Sequence, residues 1–128
     1  MPDTEKITIN TSVVDLGRVD LLVEQGFYST RTDFIRTAIR NQLETHHTEI
    51  RETIARRALV MGVLVYGQSD LEDFIEKNQQ LDVRVLGLFA LENDVTAEVA
   101  KKAIVSLKVF GVFKASKAVK DALADRIL

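Results

Sequence analysis

The chain reads as an α+β protein in which an N-terminal strand and two helices precede a small α/β domain of about three strand-helix units. Three observations predict it. Lys6-Ile7-Thr8-Ile9-Asn10 alternates polar and apolar side chains, the period of a strand with one face to cover. Two amphipathic helical patterns follow, separated by Gly26-Phe27-Tyr28. Three later segments each set a glycine inside an apolar run before turning to helical spacing.

Composition limits what such a chain does. Its 128 residues are 46% hydrophobic, enough for a folded core, so disorder is not expected. No cysteine is present, which excludes disulfides and thiolate metal sites and suits a reducing compartment. Met1-Pro2-Asp3-Thr4-Glu5 is polar and acidic and opens no apolar run long enough for a signal peptide or a membrane span. A cytoplasmic protein is expected. With 17 Lys and Arg against 19 Asp and Glu, a formal net charge of −2, the chain lacks the bulk basic footprint of a nucleic-acid binder. Any DNA binding has to come from a few groups gathered on one face, and it has to be salt-sensitive.

The opening strand cannot stand alone, because its backbone needs a ladder and its one apolar face needs a cover. A second copy of the chain is the most economical partner. Pairing two such strands about a twofold axis turns Ile7 and Ile9 inward and Lys6, Thr8 and Asn10 outward, and a two-stranded ribbon fits the DNA major groove. Ser12 then caps a helix with Asp15 at the third position. Leu16, Val19, Leu22 and Val23 recur at helical spacing until Gly26 supplies a left-handed stop. The next helix opens at Thr30, where Thr30-Arg31-Thr32-Asp33 has the form of a capping box with Asp in place of Glu. Phe34, Ile35, Ala38, Ile39 and Leu43 form its apolar stripe.

Strand, helix, the turn Gly26-Phe27-Tyr28 and the capped segment Ser29-Thr30-Arg31-Thr32-Asp33-Phe34-Ile35-Arg36 together resemble the ribbon-helix-helix family of bacterial DNA-binding proteins. The resemblance covers roughly residues 5–45. It implies an intertwined homodimer whose ribbon enters the major groove, with Lys6, Thr8 and Asn10 reading base edges. Lysine suits guanine acceptors, asparagine bonds adenine bidentately, and threonine bonds either way or packs on a thymine methyl. The resemblance also implies phosphate contacts at Ser29, Thr30, Arg31 and Thr32, where free backbone amides and the helix dipole hold an anion. The dimer core it implies is Ile7, Ile9, Leu22, Phe34, Ile35 and Ile39.

From Leu43 the apolar stripe continues through Ile50, Ile54 and Ala58, so either the second helix runs on or a third starts near Thr48. Residues 46–58 are thus a helical connector between a ribbon-helix-helix domain at 1–45 and an α/β domain at 59–128. Some nickel-responsive members of the family carry histidine ligands behind the same module, which draws attention to His46-His47. Neighbouring helical residues point about 100° apart, and no cysteine or further histidine completes a ligand set. Neither a metal nor a cofactor is expected.

The rest of the chain repeats. Val60-Met61-Gly62-Val63-Leu64, Val85-Leu86-Gly87-Leu88-Phe89 and Val109-Phe110-Gly111-Val112-Phe113 align on their glycines, within the spacing of repeat units. Helical patterns follow each: Leu71, Phe74 and Ile75 behind a cap at Ser69, then Val95, Val99 and Ala103, then Val119, Ala122, Leu123 and Ile127 behind Ser116. Near-continuous apolar strands with helical crossovers predict a small parallel sheet. A glycine inside each strand marks a bulge or a close backbone approach.

No nucleophile with a base, carboxylate cluster or phosphate-cradling loop occurs, so no catalytic residue is assigned and no enzyme is expected. Lys101, Lys102, Lys114, Lys117 and Lys120 alternate with acids and read as solvated helix faces. The leading function is a sequence-specific transcription regulator, expected to repress, that binds a double-stranded operator as a homodimer, tetramer or larger oligomer, its C-terminal half assembling dimers or sensing an effector. Two alternatives stand beside it. One is an antitoxin whose C-terminal half neutralises a toxin, although such segments are usually polar and fold only on their partner. The other is a structural protein whose repeats build an oligomer.

Overall fold

The computed structural model describes residues 4–128. Met1, Pro2 and Asp3, the start of the polar leader, lie outside the described residues. The chain divides into two compact units, one of residues 6–53 and the other of 54–128 with Thr4 and Glu5.

In the first unit α1 spans Val13–Glu24, and the Ser12 hydroxyl accepts the Asp15 N–H at 3.1 Å. It closes as a Schellman turn: the Phe27 N–H donates to Leu22 O at 3.0 Å and the Gly26 N–H to Val23 O at 3.1 Å, with Gly26 at φ +85°. That geometry satisfies two carbonyls a helix end otherwise leaves free. The helix α2 spans Arg31–Thr45, with the Thr30 hydroxyl accepting the Asp33 N–H at 3.0 Å. It does not run on. His46, at φ −102° and ψ 16°, interrupts the helix, and α3 spans His47–Arg56. Ala58, expected to extend the apolar stripe, instead sits past the helix end at φ +51°. It is held there because the Leu59 N–H folds back to Ile54 O at 3.0 Å.

The strand predicted at Lys6–Asn10 forms no ladder in the single chain, and the described residues contain no strand before Val60. A strand needs a backbone partner, and this segment has none among the described residues.

In the second unit β1 (Val60–Tyr66), α4 (Gln68–Glu76), β2 (Leu81–Leu91), α5 (Ala97–Ala103), β3 (Ile104–Lys114) and α6 (Lys117–Ala122) alternate as the repeat predicts. The three strands are parallel in the order β1-β2-β3. Thr96 and Ser116 cap α5 and α6 through their hydroxyls. The cap expected at Ser69 lies two residues earlier: the Gly67 N–H donates to the Asp70 carboxylate at 2.8 Å. Ile127 falls beyond α6, bridging to Leu107.

Leu71, Val85, Phe89, Ile104, Leu107, Val119 and Leu123 are almost fully buried in one core between the sheet and its helices. Burying an aliphatic or aromatic side chain contributes roughly 1.5–3 kcal/mol. Phe89 stacks on Phe113 with ring centroids 5.5 Å apart.

The repeat's glycines meet in register, Gly62 beside Gly87 and Gly87 beside Gly111. Gly87 and Gly111 have φ of +138° and +122°, and a Cβ on either would lie 2.1 Å from the carbonyl oxygen of the glycine on the preceding strand. Only glycine fits that approach.

Candidate nucleic-acid interface

Helices α1 and α2 have enough apolar residues to make a core and do not close one. Neither α1, α2 nor α3 contains a buried residue. The apolar side chains instead line an open groove of about 630 Å³ between Ile7, Ile9, Leu16, Val19 and Leu22 on one side and Phe34, Ile35, Ala38 and Ile39 on the other. All six residues expected in a dimer core line this groove. Ile7 and Ile9 remain 68% and 64% exposed. Tyr28 meets Phe34 edge-on, with centroids 5.0 Å apart, which fixes the turn against the start of α2.

Lys6, Thr8 and Asn10, the expected base contacts, are all exposed. The expected phosphate contacts differ among themselves. Ser29 donates both its N–H and its hydroxyl to the Asp33 carboxylate, at 2.9 and 3.2 Å. The Thr30 hydroxyl accepts from Asp33 N–H. The Arg31 guanidinium grips the Asp20 carboxylate through two hydrogen bonds of 2.7 and 2.8 Å. The side chains of Ser29, Thr30 and Arg31 are therefore engaged inside the protein. The N–H groups of Arg31 and Thr32, which open α2, have no intrahelical acceptor and are the donors left for an anion.

Asp20 is the residue the sequence did not single out. The Arg31 hydrogen bonds hold its carboxyl below the ordinary value of 3.8, so it keeps its charge beside the predicted phosphate site. Its eleven-residue separation from Arg31, on a different helix, matches no local pairing rule. His46 caps α2 and His47 opens α3. Among the described residues no three His, Cys, Asp or Glu side chains gather as a metal site.

A family model of ribbon-helix-helix transcriptional regulators matches residues 2–120. The chain belongs to this family. It is thus a DNA-binding transcriptional regulator, of a kind that is typically non-enzymatic. The match runs far beyond residues 5–45, so the α/β unit is part of the family's architecture and not an unrelated appendage. No curated protein and no solved structure matches the chain. Among the described residues no helix is long and apolar enough to cross a membrane.

Proposed function

We propose that this ribbon-helix-helix regulator is a repressor that binds its operator as an intertwined homodimer. The observation that carries the reading is the groove around Ile7 and Ile9, an apolar surface left open by every described residue of its own chain. A second copy closes it with the same residues in twofold symmetry, which pairs the two Lys6–Asn10 segments and presents Lys6, Thr8 and Asn10 on one face of a ribbon. The ribbon enters the major groove. The Arg31 and Thr32 amides at the start of each α2 then fix the register on the phosphates without reading sequence. A dimer seated over a promoter excludes polymerase, which is repression by occupancy.

Thr8→Ala with Asn10→Ala tests it. Each lost base contact removes roughly 1–3 kcal/mol of discrimination, and twofold symmetry doubles the loss, so operator preference is expected to fall by at least about 1,000-fold. Sedimentation should still show the dimer. Unchanged preference in a gel shift at fixed salt would contradict the assignment of the reading face.

A further inference from the structure

The two edges of the parallel sheet are finished differently. β3 has the first part of its outer edge occupied: the Leu128 N–H donates to Leu107 O at 2.8 Å, Ile127 bridges to Leu107, and the Arg126 guanidinium donates to Ile104 O at 2.7 Å. It also carries Lys108 and Lys114. β1 pairs only with β2, and among the described residues nothing bonds its outer edge. Its sequence, Val60-Met61-Gly62-Val63-Leu64-Val65-Tyr66, contains no charge and no proline. Lysines, prolines and short length are the usual means of blocking an edge strand, and a seven-residue apolar edge without them is a template for another strand.

A second observation points the same way. Gly62 has φ +130°, the conformation of Gly87 and Gly111, yet nothing lies within 4 Å of where its Cβ would be. At Gly87 and Gly111 that space holds the carbonyl oxygen of the neighbouring strand. At Gly62 it is open, shaped for a neighbour that the described residues of its own chain do not supply.

We propose that β1 pairs antiparallel with β1 of a second copy of this chain, joining the two sheets into one of six strands. Symmetry selects that occupant. Pairing β1 with β1 is isologous and closes after two copies, whereas adding β1 to another chain's β3 is head-to-tail and would grow without end. Residues 126–128 obstruct the second route. Size makes the contact depend on the dimeric ribbon proposed above. A seven-residue strand is about 24 Å long and its side chains reach about 5 Å to each side of the sheet, a contact well short of the roughly 1,200–2,000 Å² of a stable free-standing interface. Held at the effective concentration of a tethered pair, the same contact forms.

The chain has no cysteine, so single spin labels can be placed cleanly. Met61, Leu86 and Phe110 are in register on β1, β2 and β3. Labels at Met61→Cys, Leu86→Cys and Phe110→Cys, each in the full chain, should give copy-to-copy distances that lengthen in that order, with lateral offsets of about 5, 14 and 24 Å. Val63→Lys, which places a charge on the edge, should abolish the short Met61 distance while circular dichroism and DNA retention persist. Equal distances at the three positions, the reverse order, or a Met61 distance unmoved by Val63→Lys would overturn the pairing. Sedimentation of the same samples separates the failures. Dimers without the stepped distances contradict the pairing alone, whereas monomers that also fail to retain DNA contradict the ribbon as well.

Discussion

Residues 6–53 and residues 54–128 differ in what they can bury. The first unit contains the longer helices, of 12 and 15 residues in α1 and α2, and none of their side chains is buried. The second contains α5 and α6, of 7 and 6 residues, and these hold Ala100, Ala103 and Val119 deep in the core. Helix length and propensity therefore do not decide which half closes. A short helix is stable when a sheet offers it an apolar platform, and a longer amphipathic one is not stable while its stripe faces water. The second unit makes that platform from three strands of its own. The first has one segment, Lys6–Asn10, and in the proposed dimer the partner copy supplies the other.

The largest expected effect breaks the first unit and spares the second. Ile9→Asp places a carboxylate in the apolar groove of each copy, at a cost of at least about 2 kcal/mol per chain. Dimerisation should weaken about 1,000-fold for the pair. Sedimentation measures the dimer, and amide exchange in β2 should not change.

Gly87→Ala should do the reverse. Its Cβ would meet the Gly62 carbonyl oxygen at 2.1 Å and the residue sits at φ +138°, so a loss of roughly 3 kcal/mol is expected in urea unfolding of the α/β unit. In the unpaired chain Gly62→Ala meets no described atom within 4 Å and should cost only the backbone strain, roughly 1–2 kcal/mol. Similar losses at the two positions would contradict the close approach.

Asp20→Asn sharpens the difference in electrostatics. It releases the Arg31 guanidinium beside the α2 amides, so DNA affinity should rise and the slope of log affinity against log salt should steepen by about 0.9 per chain. The ion pair itself is exposed and contributes little to stability. Because Arg31 lowers the Asp20 pKa, what it does contribute is present above the ordinary carboxylate value of 3.8 and is lost as pH falls through the lowered one.

The smallest effect lies in the second unit. Asp82 accepts the Ser106 hydroxyl at 2.6 Å and the Arg84 guanidinium at 3.0 Å, and the serine bond is the main cause of its lowered pKa. Ser106→Ala should move the Asp82 titration back toward 3.8, followed by NMR of the side-chain carboxyl. The small loss of stability should be seen above pH 3.8, where the carboxylate is charged, and should vanish at lower pH.

Much of this architecture is legible in the sequence because it is local. Ser12, Thr30 and Ser116 cap the helices they precede, and three glycines at matching positions in a repeat foretell strands in parallel register. What was not legible depends on tertiary placement. Nothing local marks Asp20 as the partner of Arg31, and the periodicity past Leu43 leaves open whether the helix runs on or a third begins, which the break at His46 decides. The cap at Gly67 was hidden for another reason: its side-chain acceptor belongs to Asp70, and glycine offers only the N–H. The Lys6–Asn10 alternation is legible as a pattern, but the described residues form no ladder with it, and the ribbon proposed for it takes its second strand from another copy.

Hydrogen exchange of the full chain across a dilution series tests most directly whether the first unit folds only in company. Protection of the α2 amides should fall as the chain is diluted, while β2 amides keep theirs at every concentration. Protection of α2 that is independent of concentration, or loss from α2 and β2 in step, would contradict the account.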